Sequence, residues 1–301
     1  MTPVVAVVAP GAMGSAVGKR LVANGLKVLT SLTGRTAATA ERASAAGMVA
    51  ASDDEIAAAD FVLSIVPPGD ALALAQRFAP ALTKSNAKPL YVECNAINPS
   101  TVDRVAAVIA PSGCPFVDAG IIGPPPPPYP PPLAGEDKEG ARVGAALAGT
   151  GTRFYASGPA APRFAALRAY GLDVRVLDGA PSAASALKMS YAGITKGTQA
   201  IGAAMMLAAS RSGSADDLFA ELQVSQKEML AWFKRGLSNM PPKAYRWVAE
   251  MQEIAGFVGD DPAARELYEG AAEFYERFAE DFATEKKDAV ALAAFLAKGR
   301  S

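Results

Sequence analysis

A short run rich in β-branched residues leads directly into a glycine turn close to the start of the chain. Residues 4–9 read VVAVVA, a pattern typical of a strand buried in a parallel sheet. The turn that follows reads PGAMG, and residues 15–24 then have a helical pattern that ends at Gly25. The N–H groups of such a turn, with the positive end of the helix after it, form a cradle for a pyrophosphate. The sequence therefore predicts a dinucleotide site at Gly11, Ala12, Met13 and Gly14.

The match to the dinucleotide fingerprint G-x-G-x-x-G is incomplete, because Ala9 stands at its first glycine position. Gly11 and Gly14 occupy the second and third positions. An ordinary strand-to-helix turn is the alternative interpretation. The position of the turn between a predicted strand and a predicted helix favours the dinucleotide site.

The end of the second predicted strand, residues 27–32, indicates which dinucleotide would bind. In NAD-binding proteins an acidic residue about 20 positions after the glycine turn binds the ribose 2′-hydroxyl. No acidic residue stands between Lys27 and Ala40, and the strand is followed by Thr33, Gly34, Arg35 and Thr36. An arginine flanked by hydroxyl groups can pair with the 2′-phosphate of NADP. We therefore predict NADP as the cofactor, with a solvated arginine in a turn as the alternative.

The composition excludes several classes of site. The chain has 301 residues and no histidine, which removes histidine metal ligands and histidine-based nucleophile systems, so we predict no metal. Its 29 basic and 30 acidic residues leave a net charge of −1 without a like-charge block, so neither nucleic acid nor a membrane surface is an expected partner. Two cysteines without C-x-x-C spacing and the absence of a basic leader predict a cytoplasmic protein with buried structural thiols.

Short apolar strands alternate with helical segments over the first part of the chain. Further strands are predicted at residues 48–49, 61–66, 90–95, 116–122, 152–157 and 174–177, and helices at residues 36–46, 71–82, 101–109 and 161–170. Pro67, Pro68 and Asn95 come at the ends of two of these strands, at the edge where ligands bind in such folds. The alternation predicts an α/β domain over residues 1–179 with a Rossmann-type, doubly wound parallel sheet.

A proline-rich segment interrupts this pattern after Gly123. Prolines at positions 124–128 and 130–132 flank Tyr129, and we predict an insertion over residues 124–140 that begins as a stiff polyproline II arm. This arm, Pro124 to Pro132, would bind an aromatic groove of a partner, cover the site as a lid, or be a surface insertion without a role.

The remainder of the chain has a helical pattern, which predicts an all-α second domain over residues 180–301. Its first helix, predicted over residues 182–210, is rich in small residues and apolar on most sides. Such a helix is typical of a core or of a subunit interface, so we expect a homodimer through this domain. Further helices are predicted at residues 215–224, 225–237, 242–258, 262–284 and 287–298.

Lys188 lies near the start of this long helix. Ala192, Thr195 and Gln199 follow it at spacings that share one helical stripe, and Tyr191 follows at the third position. A lysine with hydroxyl and amide neighbours on an apolar helix is either a general acid–base group or a surface lysine with a partly covered stem. The spacing alone leaves both interpretations open.

Four stretches resemble the β-hydroxyacid dehydrogenase superfamily, which includes 3-hydroxyisobutyrate and 6-phosphogluconate dehydrogenases. They are residues 11–14, 64–68, 117–120 and 179–188, and the resemblance covers essentially the whole chain. The second half is more similar to a branch with a phosphogluconate dehydrogenase-like C-terminal domain of unknown function. Residues 121–125, 186–192 and 246–254 carry that similarity.

The resemblance implies roles for individual residues. The lysine that matches Lys188 is the catalytic acid–base group of the superfamily. Val66, Pro67 and Pro68 would line the cofactor. Asn95 would lie near the nicotinamide and the substrate, where relatives carry a serine or threonine. Gly120 and Ile122 complete the predicted substrate site, together with Thr195, which enters it through its place on the Lys188 stripe and not through the resemblance.

Departures from the superfamily pattern concern the substrate. Ile122 stands where relatives anchor a substrate carboxylate with a serine, and Tyr191 and Ala192 stand where they place asparagines. A later lysine–aspartate pair of the relatives is replaced by the region of Glu250 and Glu253. We therefore expect a more apolar pocket than in the relatives, with Tyr191 as an additional proton donor.

These observations predict an NADPH-dependent oxidoreductase that moves a hydride between the nicotinamide and a small carbonyl or hydroxy compound. Lys188 would protonate the substrate oxygen or take its proton in the reverse direction. One alternative is an imine reductase on the same fold. Another is a non-catalytic NADP-binding scaffold whose proline arm recruits a partner.

Overall fold

The structure is a computed structural model that describes residues 2–127 and 151–299. The chain divides into an α/β unit, Met1–Lys188, and a helical unit, Met189–Ser301. This division falls later than the predicted boundary after residue 179. The reason is local, because the first turn of the next helix is hydrogen-bonded to the sheet through Ser185 and Asp118.

An 8-stranded sheet forms the centre of the first unit, with the strand order β3-β2-β1-β4-β5-β6-β7-β8. The strands are β1 (Val4–Val8), β2 (Lys27–Thr30), β3 (Val49–Ala50), β4 (Phe61–Ser64), β5 (Leu90–Glu93), β6 (Phe116–Ile122), β7 (Arg153–Ser157) and β8 (Asp173–Val176). Neighbouring strands are parallel except β6 and β7, which are antiparallel. The predicted Rossmann-type parallel sheet is thus confirmed from β3 to β6.

The reversal at β7 follows from how the chain leaves and re-enters the sheet. The Thr152 hydroxyl donates a hydrogen bond to the carbonyl oxygen of Pro124, so β7 starts beside the end of β6. Arg20, which is buried, donates to the carbonyl oxygen of Pro127 at 2.6 Å and to that of Gly171 at 3.3 Å. The predicted insertion continues from there outside the described residues.

Helices cover both faces of the sheet. They are α1 (Ala12–Ala23), α2 (Ala37–Ala45), α3 (Asp53–Ala57), α4 (Ala71–Lys84), α5 (Pro99–Ile109) and α6 (Ala161–Phe164), with 3-10 segments at Pro68–Asp70, Ala110–Ser112 and Ala165–Tyr170. The short helix α3 was not predicted, and a capping box between Ser52 and Glu55 begins it. One face of the sheet packs around Val7, Leu63 and Val92, and the other around Val8, Val62 and Tyr91.

One long helix begins at the end of the α/β unit, and most of its length belongs to the helical unit. This helix consists of α7 (Ala183–Ala192), a π-helical turn (Gly193–Gly197) and α8 (Thr198–Ser212). The others are α9 (Ala215–Ser225), α10 (Lys227–Leu237), α11 (Ala244–Val258), α12 (Pro262–Ala283) and α13 (Lys287–Ala297), with a 3-10 turn at Pro241–Lys243. Within the described part of the chain, no helix combines the length and hydropathy needed to cross a membrane.

Candidate active site

The glycine turn joins β1 to α1, where the sequence predicts the pyrophosphate cradle. A Cβ atom added at Gly14 would lie 2.1 Å from the carbonyl oxygen of Ala9, so this glycine allows the helix to approach the strand. A Cβ atom at Gly11 would meet nothing within 4 Å. Helix α1 has no side-chain cap and no acidic residue in its first turn, so its first N–H groups remain available for an anion. Ala12 is exposed and Met13 packs partly against the core. These residues fit a dinucleotide.

The turn between β2 and α2 contains the residues predicted to select NADP. Thr33, Gly34, Arg35 and Thr36 are all exposed, and Gly34 adopts a φ of +71° that favours glycine. Thr36 caps α2 by accepting a hydrogen bond from the Thr39 N–H group, and the first turn of α2 has no acidic residue. The turn therefore has an exposed arginine next to a helix N-terminus, a combination that suits a phosphate.

Arg42 ties this turn to the phosphate cradle, a contact that the sequence analysis missed. Its Nη1 atom donates to the carbonyl oxygen of Pro10 at 3.2 Å, which links α2 to the residue before Gly11. The carboxyl ends of β1 and β2 are adjacent in the parallel sheet, so both predicted cofactor segments lie at one edge.

The turn after β4 and the end of β5 are joined by Asn95. Its Oδ1 atom accepts the N–H group of Val66 at 2.6 Å, and its Nδ2 atom donates to the Ser64 hydroxyl at 2.8 Å. Asn95 is only 3% exposed, whereas Pro67 is exposed and Pro68 is partly buried. The structure thus brings Val66, Pro67, Pro68 and Asn95 together, with the asparagine amide turned inward.

A row of buried polar side chains crosses four strands beneath this turn, and the sequence analysis did not predict it. Ser64, Glu93, Asp118 and Ser157 are register partners on β4, β5, β6 and β7. All are at most 1% exposed. The pKa of Glu93 is raised to about 8, chiefly by burial and in part by the neighbouring Asp118, against the opposing effect of hydrogen bonds from Asn95 and Ser64. The signal in the sequence is a single acidic residue in each of two otherwise apolar strands, Glu93 in β5 and Asp118 in β6.

Asp118 holds the first turn of α7 against β6. Its carboxylate accepts the Ser185 N–H group at 2.8 Å and the Ser185 hydroxyl at 2.6 Å, and Ser157 donates to it at 3.2 Å. Burial raises the pKa of Asp118, and these hydrogen bonds oppose that shift. A Cβ atom on Gly120 would lie 2.8 Å from the carbonyl oxygen of Ala184. Gly120 therefore allows the helix to pack directly on the strand.

Lys188 is placed by the same helix at the end of β6. Its Nζ atom donates to the carbonyl oxygen of Ile121 at 2.8 Å, and its side chain is partly buried. Ile122, which replaces the expected hydroxyl residue, is 4% exposed and ends the strand. The α/β unit thus places an ammonium group and an apolar side chain at the carboxyl end of β6, beyond the polar row. Such a group can donate a proton to an oxygen or take one from it.

The remaining predicted residues, Tyr191 and Thr195, belong to the helical unit. Tyr191 is 47% exposed, and its carbonyl oxygen accepts the Thr195 hydroxyl at 2.8 Å. The π-helical turn between Lys188 and Gln199 changes the spacing of 3.6 residues per turn on which the predicted stripe depends. The predicted stripe from Lys188 through Thr195 therefore does not follow from regular α-helical spacing, and substrate contacts of Tyr191 and Thr195 stay predictions.

An ion pair braces this π-helical turn within the helical unit. Lys196 pairs with Glu250 of α11, and the lysine Nζ atom lies 5.2 Å from the centre of the Trp247 ring. The Tyr275 hydroxyl donates to the carbonyl oxygen of Lys196 at 2.6 Å, and burial raises the pKa of that hydroxyl. This pair lies in the region of Glu250 and Glu253, where the sequence departs from the superfamily pattern.

Over residues 2–127 and 151–299, no group of three or more metal-ligating side chains is present.

Two family profiles match the chain. The NAD binding domain of 6-phosphogluconate dehydrogenase matches residues 4–127, and a domain of unknown function, DUF1932, matches residues 209–278. A comparison with curated protein sequences finds no match.

Solved structures are similar over almost the whole chain. A conserved protein of unknown function, whose own structure is similar to 3-hydroxyacid dehydrogenases, is 26% identical with a TM-score of 0.64, covering 96% of this chain and 99% of that chain. The 3-hydroxyisobutyrate dehydrogenase of Mycobacterium tuberculosis, solved with L-serine, is 20% identical with a TM-score of 0.61 and 100% coverage of both chains. An imine reductase variant from Myxococcus stipitatus in complex with NAD+ is 18% identical with a TM-score of 0.55, covering 98% of this chain and 100% of that chain.

Proposed function

The chain belongs to the β-hydroxyacid dehydrogenase superfamily of oxidoreductases, and from this premise we propose that it is an NADP-dependent enzyme acting on a small carbonyl or hydroxy compound. When bound, NADPH would supply a hydride to the substrate carbon. The observation that carries the proposal is the position of the Lys188 ammonium group, 2.8 Å from the carbonyl oxygen of Ile121 at the carboxyl end of β6. Parallel α/β sheets bind their ligands at this edge.

The cofactor would be held by segments of the α/β unit. Gly11, Ala12, Met13 and Gly14 would bind the pyrophosphate through the open N-terminus of α1. Arg35, with the hydroxyl groups of Thr33 and Thr36 and the turn at Gly34, would bind the 2′-phosphate. Support comes from the exposure of Arg35 and from the lack of an acidic residue at the start of α2, where the 2′-hydroxyl of NAD would need one. Val66, Pro67 and Pro68 would line the nicotinamide half.

The proton would be carried by Lys188. In the reducing direction its ammonium group donates a proton to the substrate oxygen as the carbon accepts the hydride, and in the oxidising direction its neutral amine takes that proton back. Docking of α7 on β6 through Asp118 and Gly120 would fix the lysine side chain before substrate arrives. Tyr191 and Thr195 would position the substrate and offer an additional donor.

The substrate would be less polar than a hydroxy acid. Ile122 is 4% exposed and presents no hydrogen-bond donor where superfamily members carry a carboxylate-binding serine. An apolar side chain at this position leaves a substrate carboxylate without its partner, which costs binding energy. The same feature favours the second candidate, reduction of a carbon–nitrogen double bond, because a neutral or cationic imine needs no carboxylate anchor. The retained Lys188 favours the carbonyl.

The protein would act in the cytoplasm, as the sequence predicts. Its partner would be a second copy of the same chain. Ile194, Ile201 and Met205 are 70%, 53% and 57% exposed along one side of the long helix, with Thr198 between them. Thr198, Ile201 and Met205 follow the π-helical turn and are three and four residues apart, which is the spacing of a helix–helix seam. In a two-fold interface the same patch meets itself, and an uncharged patch does so without repulsion. We therefore propose a homodimer through this side of the helical unit.

The first test is a fluorescence titration with NADPH and NADH on the wild type, Arg35→Ala and the control Arg104→Ala, which removes an exposed arginine of α5. We expect NADPH to bind the wild type at least tenfold more tightly than NADH, and Arg35→Ala alone to weaken NADPH about tenfold. Failure of both cofactors to bind would overturn the proposal.

Catalysis is tested next with matched ketones and cyclic imines. Lys188→Ala should lower turnover by about 10² to 10⁴ while NADPH still binds. Unchanged turnover would remove Lys188 from the mechanism. Faster turnover of imines than of ketones would favour the second candidate.

A further inference from the structure

The side chain of Asn95 makes hydrogen bonds within the protein. Its amide oxygen accepts a hydrogen bond from the Val66 N–H group at 2.6 Å, and its amide nitrogen donates one to the Ser64 hydroxyl at 2.8 Å. The backbone N–H group of Asn95 donates to the Glu93 carboxyl at 3.0 Å. Every one of these residues except Val66 is at most 3% exposed. We call Ser64, Val66, Glu93 and Asn95 the Asn95 network.

The Val66 N–H group is the last backbone hydrogen-bond donor before the two prolines of its turn. Strand β4 ends at Ser64, and the next backbone N–H groups are those of Ile65 and Val66. The Ile65 N–H group is used by the carbonyl oxygen of Val8. Pro67 and Pro68 have no N–H group, so Val66 supplies the last backbone donor before Gly69. The carbonyl oxygen of Ile65 accepts the Ala9 N–H group, and the hydrogen bond from Val66 to Asn95 is then the last backbone N–H contact before the two prolines.

We infer that Asn95 is a positioning residue, which holds the turn of residues 66–68 in the orientation that the cofactor requires, and that it does not itself bind the substrate. The inference rests on the proposed function, because it assumes a nicotinamide dinucleotide at this edge. It assigns Asn95 a role different from the direct contact that the resemblance implies. An amide is suited to the role because it accepts from Val66 and donates to Ser64 at the same time.

Three variants and one control test this inference. Asn95→Ala removes both hydrogen bonds, and Ser64→Ala removes the one to the amide nitrogen. Asn95→Asp keeps an acceptor for the Val66 N–H group and loses the amide donor to Ser64. Asn98→Ala is the matched control, because Asn98 is a nearby buried asparagine that accepts a backbone N–H group, that of Thr101, as the cap of α5. The readouts are hydrogen exchange of the Val66 amide by NMR without cofactor, and the dissociation constant of NADPH.

We expect Asn95→Ala to lose protection of the Val66 amide and to weaken NADPH about tenfold, since one buried hydrogen bond orients the turn. Ser64→Ala should weaken NADPH about threefold, and Asn95→Asp and Asn98→Ala should stay within a few-fold of the wild type with Val66 protected.

Three results would overturn the inference. One is weaker NADPH binding by Asn95→Ala with the Val66 amide still protected. Another is loss of protection with unchanged NADPH binding. The third is an Asn95→Asp variant that protects Val66 yet binds NADPH as poorly as Asn95→Ala, since direct contact through the amide N–H would then be the cause. Failure of the wild type to bind either cofactor would overturn the proposed function as well. This result differs from the other three because it is seen in the unsubstituted protein.

Discussion

At the scale of single residues, the buried Glu93 makes the free energy of unfolding depend on pH in a way that a surface carboxylate would not. Burial raises the pKa of Glu93 from its usual value near 4.5 to about 8. Between these values the folded protein holds a proton that the unfolded chain releases, so the free energy of unfolding falls as the pH rises through this window. The slope is at most about 1.4 kcal/mol per pH unit from this group. Glu93→Gln should remove that slope.

The measurement is urea unfolding of the wild type and Glu93→Gln at several pH values from 5 to 8. We expect the wild type to lose more stability than the variant as the pH rises. Asp118 also has a raised pKa and interacts with Glu93, so the comparison reports the Glu93 carboxyl together with its effect on Asp118. Parallel curves for the two proteins would show that Glu93 does not hold the extra proton.

The residues that could be predicted from the sequence are those whose environment is local. Gly14 is needed by the strand and helix on either side of it, and Lys188 follows a recognisable helical start. The inward orientation of Asn95 could not be predicted, because it depends on Ser64 and Val66, which lie about 30 residues earlier in the chain. The pairing of Glu93 with Asp118 likewise depends on the register of two strands.

At the scale of elements, the two glycines of the turn between β1 and α1 have different roles. Gly14 allows the helix to pack on the strand, and Gly11 leaves space for the cofactor. Gly14→Ala would place a Cβ atom 2.1 Å from the Ala9 carbonyl oxygen, and we expect a loss of about 3 kcal/mol in the free energy of unfolding. Gly11→Ala meets no protein atom within 4 Å, so stability should change by less than about 1 kcal/mol while NADPH binding weakens. Thermal unfolding without cofactor and an NADPH titration separate the two effects. Equal destabilisation by both variants would refute this assignment.

Besides helix α3, the sequence pattern did not predict the π-helical turn at Gly193–Gly197. A helical pattern over residues 182–210 was visible, and a continuous helix is present, but an extra residue in one turn leaves little trace in hydrophobic spacing. The turn is stabilised by direct contacts with residues that lie far from it in the sequence. Tyr275 donates to the carbonyl oxygen of Lys196, and the Tyr268 ring lies against Gly193 and Gly197. Both tyrosines come from α12, so local propensity carries no information about the turn.

At the scale of the whole molecule, the proposed homodimer gives the exposed side of the long helix a function. Isolated exposed apolar residues are ordinary on protein surfaces, but several at helix–helix spacing are not. Ile201 and Met205 are the exposed apolar residues of this seam that follow the π-helical turn, and replacing both with glutamate puts like charges opposite each other in a two-fold interface. We expect a dimeric wild type and a monomeric Ile201→Glu/Met205→Glu variant in sedimentation velocity. Val224→Glu is the control, because Val224 is 85% exposed on another helix and should leave the dimer intact. A monomeric wild type, or a double variant that stays dimeric, would show that this side of the helix has no such role.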